Sequence, residues 1–476
     1  MKSPAVGIIA ITTVAVALAA CGDDAGNGAT DTLAADTAVA DTVVADTAVA
    51  DTAADTLVAD TESDGAGDTL IADTEVPDGG GGEGTCDFPA AAALAHADVP
   101  AGYCAATWAS GLDDPRGMIV APSGEVLVVE RGKAQVTALW DDDGDGVSGA
   151  TERAKLAGAS GLNHGIALRD GFLYASSATT VFRWAWTSGA RADLGAATVV
   201  VKSIPSGGHS TRSLRVDDAG RLYVSVGSAG NVDADSSRAR IRRFDLASLP
   251  SGGFDFASGE VFADGLRNEV GLAWDADGVL WGVQNGVDNL NRGDLGGDIH
   301  DDNPGELLSR FATAGAHHGY PWCWAEYQLP AGVGMGRGTM WAHPSSMNDG
   351  THDDAWCRDT TNVQPPALSM QAHSAPLGLV FYDGDAFPAA VKGDVFVAFH
   401  GSWNRSPATG YKVVRVHFEG GVAQDPVPFL EYDGAGDIGA DWPHRPVDVA
   451  VAADGRLLVT SDASNRVMVV GYDPAR

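Results

Sequence analysis

Gly117-Met-Ile-Val-Ala-Pro-Ser-Gly-Glu-Val-Leu-Val-Val129 reads as a short apolar run, a turn, and a second apolar run. Two apolar runs around such a turn are a β-hairpin signal. The unit returns as Gly165-Ile-Ala-Leu-Arg-Asp-Gly-Phe-Leu-Tyr-Ala and as Ser213-Leu-Arg-Val-Asp-Asp-Ala-Gly-Arg-Leu-Tyr-Val. It returns again as Gly271-Leu-Ala-Trp-Asp-Ala-Asp-Gly-Val-Leu-Trp-Gly. A fifth copy has an enlarged turn, running from Gly378-Leu-Val-Phe-Tyr to Gly393-Asp-Val-Phe-Val-Ala. The sixth is Asp448-Val-Ala-Val-Ala-Ala-Asp-Gly-Arg-Leu-Leu-Val. The first three copies start 48 residues apart, at 117, 165 and 213. That is the length of a four-stranded propeller blade. Six copies predict an all-β fold, a six-bladed β-propeller closed as a ring. The long interval from 271 to 378 predicts loop insertions.

Composition agrees. The chain has 61 glycines in 476 residues and 45% hydrophobic residues, which favours a turn-rich β protein over a helical bundle. Its formal charge of −34 excludes binders of nucleic acid and of anionic membrane surfaces, which need a basic footprint.

Outward from the repeat, the N-terminal region divides in two. Lys2 precedes an uncharged, nearly all-apolar run, Ala5 to Ala20, too short for a comfortable membrane span. Leu18-Ala19-Ala20-Cys21 resembles a bacterial lipobox, so residues 1–21 are expected to be a lipoprotein signal peptide with Cys21 lipidated. The chain would then be an exported lipoprotein, touching membrane only through its anchor. Gly22 after the cysteine leans toward the outer membrane, at its periplasmic face or at the cell surface. Residues 22–85 carry 16 acids and no Lys or Arg, with Ala-Asp-Thr recurring about every five residues. That period matches neither strand nor helix, and like charges extend a coil, so a disordered acidic linker is expected. Residues 86–476 remain for the propeller.

Four cysteines follow the linker: Cys86, Cys104, Cys323 and Cys357. They allow three pairings. Neighbour pairing, Cys86–Cys104 and Cys323–Cys357, is expected because each closes a local loop. No Cys-x-x-Cys occurs, which argues against zinc.

Asp141-Asp-Asp-Gly-Asp-Gly-Val-Ser-Gly-Ala-Thr-Glu152 fits the twelve-residue calcium loop. Asp141, Asp143 and Asp145 occupy loop positions 1, 3 and 5, Gly146 position 6, and Glu152 position 12. With no flanking helix pair evident, it reads as a structural calcium clamp on an inter-blade loop.

Polar residues gather at blade ends: Arg131, His209, Arg267 with Asn268, His400 with Arg405, and Arg445. Any one arginine reads as a surface ion pair. Several at equivalent blade positions in so acidic a chain point to a polyanionic ligand near the axis.

From about residue 104 onward the chain resembles the soluble glucose/sorbosone dehydrogenases, which carry pyrroloquinoline quinone (PQQ) on a six-bladed propeller. The matching stretches begin Gly207-Gly-His-Ser-Thr-Arg, Gly265-Leu-Arg-Asn-Glu-Val-Gly, Asp298-Ile-His-Asp-Asp-Asn-Pro-Gly-Glu, His373-Ser-Ala-Pro-Leu-Gly, His400-Gly-Ser-Trp-Asn-Arg and Arg445-Pro-Val-Asp-Val. Val447 and His400 stand where the glucose dehydrogenases carry arginine and lysine. Both changes look like the sorbosone and fungal pyranose dehydrogenase branch. The resemblance implies His209 as general base, Arg267 as the group polarising the quinone, and Asn268 orienting the same edge. It implies Arg131, His400, Arg405 and Arg445 around the cofactor's carboxylates. It places a calcium ion against the carbonyls of Gly286 and Val287. His164 reads either as an axial group or as a packed strand-end histidine.

The expected reaction is oxidation of an aldose or sugar aldehyde, with electrons passed to an external quinone or cytochrome. No Cys-x-x-Cys-His haem motif is present. The alternatives are a calcium-dependent propeller lactonase and a non-catalytic propeller that binds a sugar or partner.

Overall fold

The computed structural model describes residues 86–435, 438 and 441–476. The expected signal peptide with Cys21 and the acidic linker lie outside them. Six sheets of four or five strands form the six blades. Blade one is Pro115–Val120, Val126–Glu130, Gln135–Leu139 and Arg153–Gly158. Blade two begins with Leu162–Arg169, blade three with Leu214–Val216, blade four with Glu269–Trp274, blade five with Pro376–Phe381 and blade six with Pro446–Val451. Each sequence copy supplies its blade's two inner strands. The insertions expected between 271 and 378 lie inside blade four, as two short ribbons and the helix Asp354–Arg358. Among the described residues no helix is long and apolar enough to cross a membrane.

Every blade is covered on both faces, which explains why the strands read as continuous apolar runs. Along Val126–Glu130, Val126 and Val128 pack toward blade six while Leu127 packs toward blade two. Trp281 and Val283 of blade four pack against Val395 and Val397 of blade five, and Leu280 packs against Tyr223 of blade three.

Where the inner strands converge, side chains have no room. A Cβ on Gly117 would lie 2.1 Å from the His164 carbonyl oxygen, and one on Gly165 2.1 Å from that of Arg212. On Gly271 it would lie 2.6 Å from the Leu377 oxygen, and on Gly378 2.8 Å from that of Val447. The glycine opening four copies is thus the contact point with the next blade. The other two copies put a polar group there. Ser213 Oγ donates to the Val270 carbonyl, and Asp448 Oδ2 accepts the Met118 N–H at 2.8 Å. These six contacts pass once round the ring. Burial pushes the Asp448 carboxyl up to about 6, with Arg215 opposing.

The sixth blade is closed by strands from opposite ends of the propeller segment. Tyr103–Ser110 pairs antiparallel with Arg466–Tyr472, from Tyr103 opposite Tyr472 to Ser110 opposite Arg466. The disulfides pair as neighbours, Cys86–Cys104 and Cys323–Cys357, with Cα–Cα distances of 5.9 and 5.8 Å.

Candidate active site

One cavity of about 290 Å³ opens at the loop ends of blades three to five. His209, Arg267, Asn268 and Gly286 all line it, so four of the expected residues meet in one place.

His209 sits on the loop entering blade three. Its Nδ1 is 3.1 Å from both the carbonyl oxygen and the hydroxyl of Ser228. A carbonyl only accepts, so Nδ1 carries the ring proton in the neutral imidazole and Nε2 is the basic nitrogen. Two buried arginines brace this loop. Arg212 donates to the carbonyls of Pro205, His209, Thr211 and Ala178, and Arg238 to those of Ser206, Gly207, Gly227 and Ser228. Gly227 keeps the space open: a Cβ there would fall 2.6 Å from His209 Cβ and 2.7 Å from Asn268 Oδ1.

Arg267 is buried and fixed. Its Nε donates to the Asn231 carbonyl at 3.0 Å, and its Nη2 to Asn231 Oδ1 at 3.1 Å and Asp288 Oδ2 at 2.8 Å. Asn231 and Asp288 also bond each other, closing a triangle around the guanidinium. Asn268 Nδ2 donates to Asn285 Oδ1 at 2.9 Å, and Asn285 Nδ2 to the Pro376 carbonyl at 2.7 Å, so blade five anchors the amide pair. His373 Nε2 bonds the His300 carbonyl at 2.5 Å, and burial pushes its imidazole below the usual histidine range. Glu306 accepts the N–H groups of Gly286 and Ala375 at 2.8 and 3.1 Å, and burial pushes its carboxyl up to about 7.

The other expected residues sit elsewhere. Arg131 donates to Asp114 on blade one, with its side chain 38% exposed. His400 bonds Asp462 at 3.0 Å, and Arg445 donates to the His400 and Gly401 carbonyls at 3.1 and 2.9 Å. Arg405 pairs with Asp302 at 2.9 Å. His400 and Arg405 thus flank Trp403, which lines the cavity mouth. Val287 packs on the core side of Gly286 with Leu290, Tyr320 and Trp324. His164 is buried next to the axis, with Arg215 and Asp448 nearby, away from the cavity.

Sequence reasoning passed over Asn231, Asn285, Asp288, Glu306, His373 and Trp403 as site residues. All but Asn231 lie inside stretches whose pattern singles them out, such as Gln284-Asn-Gly-Val-Asp288 and His400-Gly-Ser-Trp403. Asn231 lies in a loop with no periodic or motif signal.

The expected calcium loop does not join two blades: it connects the outer strands Gln135–Leu139 and Arg153–Gly158 of blade one, and there the carboxylates of Asp141, Asp143 and Asp145 come within 4.8 Å of one another. Asp141 also accepts the N–H groups of Gly144 and Gly146, at 2.9 and 3.1 Å, which curls the loop around the three acids. Glu152, expected as a fourth ligand, accepts the N–H groups of Asp142 and Gly149 at 2.7 and 3.0 Å. Those bonds hold its carboxyl below its ordinary range and make it the clasp of the loop.

Residues 97–473 match the family described as TrAA12-like. The PQQ-dependent pyranose dehydrogenase of Coprinopsis cinerea is 30% identical over 410 residues, covering 78% of this chain and 54% of its own length. This chain therefore spans about half of that relative. The holo structure of that enzyme's PQQ domain superposes with a TM-score of 0.69 at 29% identity, covering 79% of this chain and 97% of the domain. The calcium structure of the Trichoderma reesei family AA12 carbohydrate-active enzyme gives 0.69 at 29% identity, covering 80% and 97%.

Proposed function

The chain belongs to the TrAA12-like family, and from that membership we propose that it is a PQQ- and calcium-dependent sugar dehydrogenase, passing electrons to an external acceptor. One observation carries the reading: His209 and the adjacent pair Arg267 and Asn268, more than fifty residues further along the chain, converge on a single cavity, each held by its own hydrogen bonds.

The residues present fit the cofactor. PQQ is a flat ortho-quinone bearing three carboxylates. The cavity offers it a fixed guanidinium at Arg267, the amides of Asn231, Asn268 and Asn285, and a narrow wall of Gly208, Ala229, Gly230 and Gly286. A Cβ on Gly286 would fall 2.7 Å from Pro304, so the backbone there has no substitute for glycine at this spacing. The Gly286 and Val287 carbonyls are the oxygen donors we assign to calcium, a hard cation. Arg405 and Arg445 supply positive charge beside the mouth, and His400 lies next to them. When bound, the quinone supplies a two-electron acceptor for hydride. His209 Nε2 receives the hydroxyl proton from the carbon that loses hydride, with the ring held by Ser228. Arg267 holds an unchanging positive charge where negative charge develops, and its triangle with Asn231 and Asp288 spares any reorganisation.

A lactonase would direct its carboxylates at a metal. Here Asp288 is neutralised by Arg267, and both oxygens of Glu306 are engaged by backbone N–H groups. Residues 1–21 and 22–85 are proposed as lipid anchor and spacer, on sequence grounds alone.

Titrating purified protein with PQQ and calcium and recording the absorption spectrum tests the reading. Stoichiometric uptake followed by bleaching of the quinone band with aldoses is expected. No uptake at micromolar PQQ would sink it.

The loop at Asp141 to Glu152 has its own test. Removing calcium is expected to lower the melting temperature of the wild type, and Asp143→Ala is expected to lose the part of that dependence that belongs to this loop while keeping PQQ uptake. An equal response to calcium in both proteins would remove the ion from this loop.

A further inference from the structure

Five large apolar side chains are strongly exposed among the described residues: Val232, Met335, Trp403, Val422 and Val427. Trp403 alone lines the catalytic cavity, and it is 53% exposed. An indole left in water is uncommon, since its large apolar surface favours burial.

Flexibility of the loop does not explain the exposure, because the backbone on both sides of Trp403 is fixed. Ser402 N donates to the Thr409 carbonyl at 2.8 Å, Thr409 N to Ser402 Oγ at 2.9 Å, and Tyr411 Oη to the Ser402 carbonyl at 3.0 Å. On the other side Ser406 N donates to Asp301 Oδ1 at 2.9 Å, and Arg405 pairs with Asp302. Gly401 N donates to the Ser374 carbonyl, and Arg445 caps the Gly401 carbonyl. The protein spends this many bonds to hold an apolar ring in solvent at the mouth of its site. Rigid aromatics of this kind are recognition anchors, since little ordering entropy is lost when a ligand lands on them.

The rest of the site says which ligand surface is missing a partner. Amide, imidazole and guanidinium groups dominate the lining, and they suit the hydroxyl edge of a sugar. A pyranose ring also has a face of C–H groups with no hydrogen-bonding capacity, and the electron-rich face of an indole suits it. An open-chain aldehyde presents no such face. Resting on the dehydrogenase reading above, we propose that Trp403 is a stacking platform for the C–H face of the sugar ring at this site.

Two measurements on the full chain test this. In the first, saturation-transfer NMR is recorded with methyl β-glucopyranoside and methyl β-galactopyranoside, whose blocked anomeric positions prevent turnover. Transfer to ring C–H protons is expected with the wild type, lost in Trp403→Ala and largely restored in Trp403→Phe. In the second, the PQQ- and calcium-loaded enzyme is assayed with the corresponding free aldoses and with glyceraldehyde. Trp403→Ala is expected to raise KM for the aldoses about tenfold or more, the size of a lost apolar contact in a substrate pocket. Aldose kcat is expected to change little, and glyceraldehyde kinetics and PQQ affinity not at all. Unchanged transfer and KM in Trp403→Ala, equal losses with aldose and glyceraldehyde, or weakened PQQ uptake would each overturn the platform. Ring-proton transfer lost in Trp403→Ala, in a protein that oxidises no sugar, would keep the platform and reject the dehydrogenase reading.

Discussion

His209→Ala is expected to lower kcat by about 10²–10⁴-fold, the usual contribution of a positioned general base. The fold should survive, because Arg212 and Arg238 grip the loop through main-chain carbonyls that the substitution leaves intact. KM and PQQ uptake are expected to stay within a few-fold of wild type, and the melting temperature within a few degrees. Steady-state kinetics across pH adds a sharper signature. Activity of the wild type should fall on the acid side as Nε2 takes up a proton and ceases to be a base, and that limb should vanish in the residual activity of His209→Ala. A variant keeping more than a tenth of wild-type kcat would take proton transfer away from this residue.

The second large effect is on stability. Asp462, at the end of an inner strand of blade six, accepts from Arg116 of blade one at 2.6 Å and lies 3.0 Å from His400 of blade five. Burial would raise its carboxyl, but His400 and Arg116 outweigh that and hold it far below the usual carboxylate range. Arg445 adds its charge nearby. The Arg116 and Asp462 side chains are 5% and 11% exposed, so the pair is shielded from solvent. Asp462→Ala removes the carboxylate that Arg116 and His400 share, and the expected cost is about 3–5 kcal/mol. The folded carboxyl binds its proton more weakly than the unfolded one. Its contribution is therefore complete above the unfolded value of about 4 and drains away as pH falls further. Denaturation curves at pH 7 and pH 3 should show a large gap closing toward acid. A gap that stays constant would mean that packing, not charge, joins these three blades.

The axis was legible in the chain because one physical constraint recurs. Four copies open with glycine where a Cβ would strike the next blade, and alternation of facing blades turns each strand into an unbroken apolar run. Turn chemistry then set the register. The site was half legible. His209, Arg267, Asn268 and Gly286 fall at blade ends within tight motifs, and geometry brings them together. The charge argument for arginine was less discriminating. A guanidinium serves main-chain carbonyls as readily as a ligand, and Arg212, Arg238 and Arg445 all do so. Residue type gives the charge; only the loop path gives the partner. The same reason hid Asn231, whose loop has no period.

Blade six draws its outer strand from Tyr103–Ser110 and its remaining strands from Pro446–Tyr472. During synthesis the ring stays open until its last strand leaves the ribosome, and Tyr103–Ser110 waits all that time without its Arg466–Tyr472 partner. Loss of Arg466–Tyr472 would then cost more than one strand, because the seam would have nothing to close on. The Cys86–Cys104 bond ties the preceding segment to that seam strand. A tug on the N-terminal side is therefore carried into the last-formed joint of the ring.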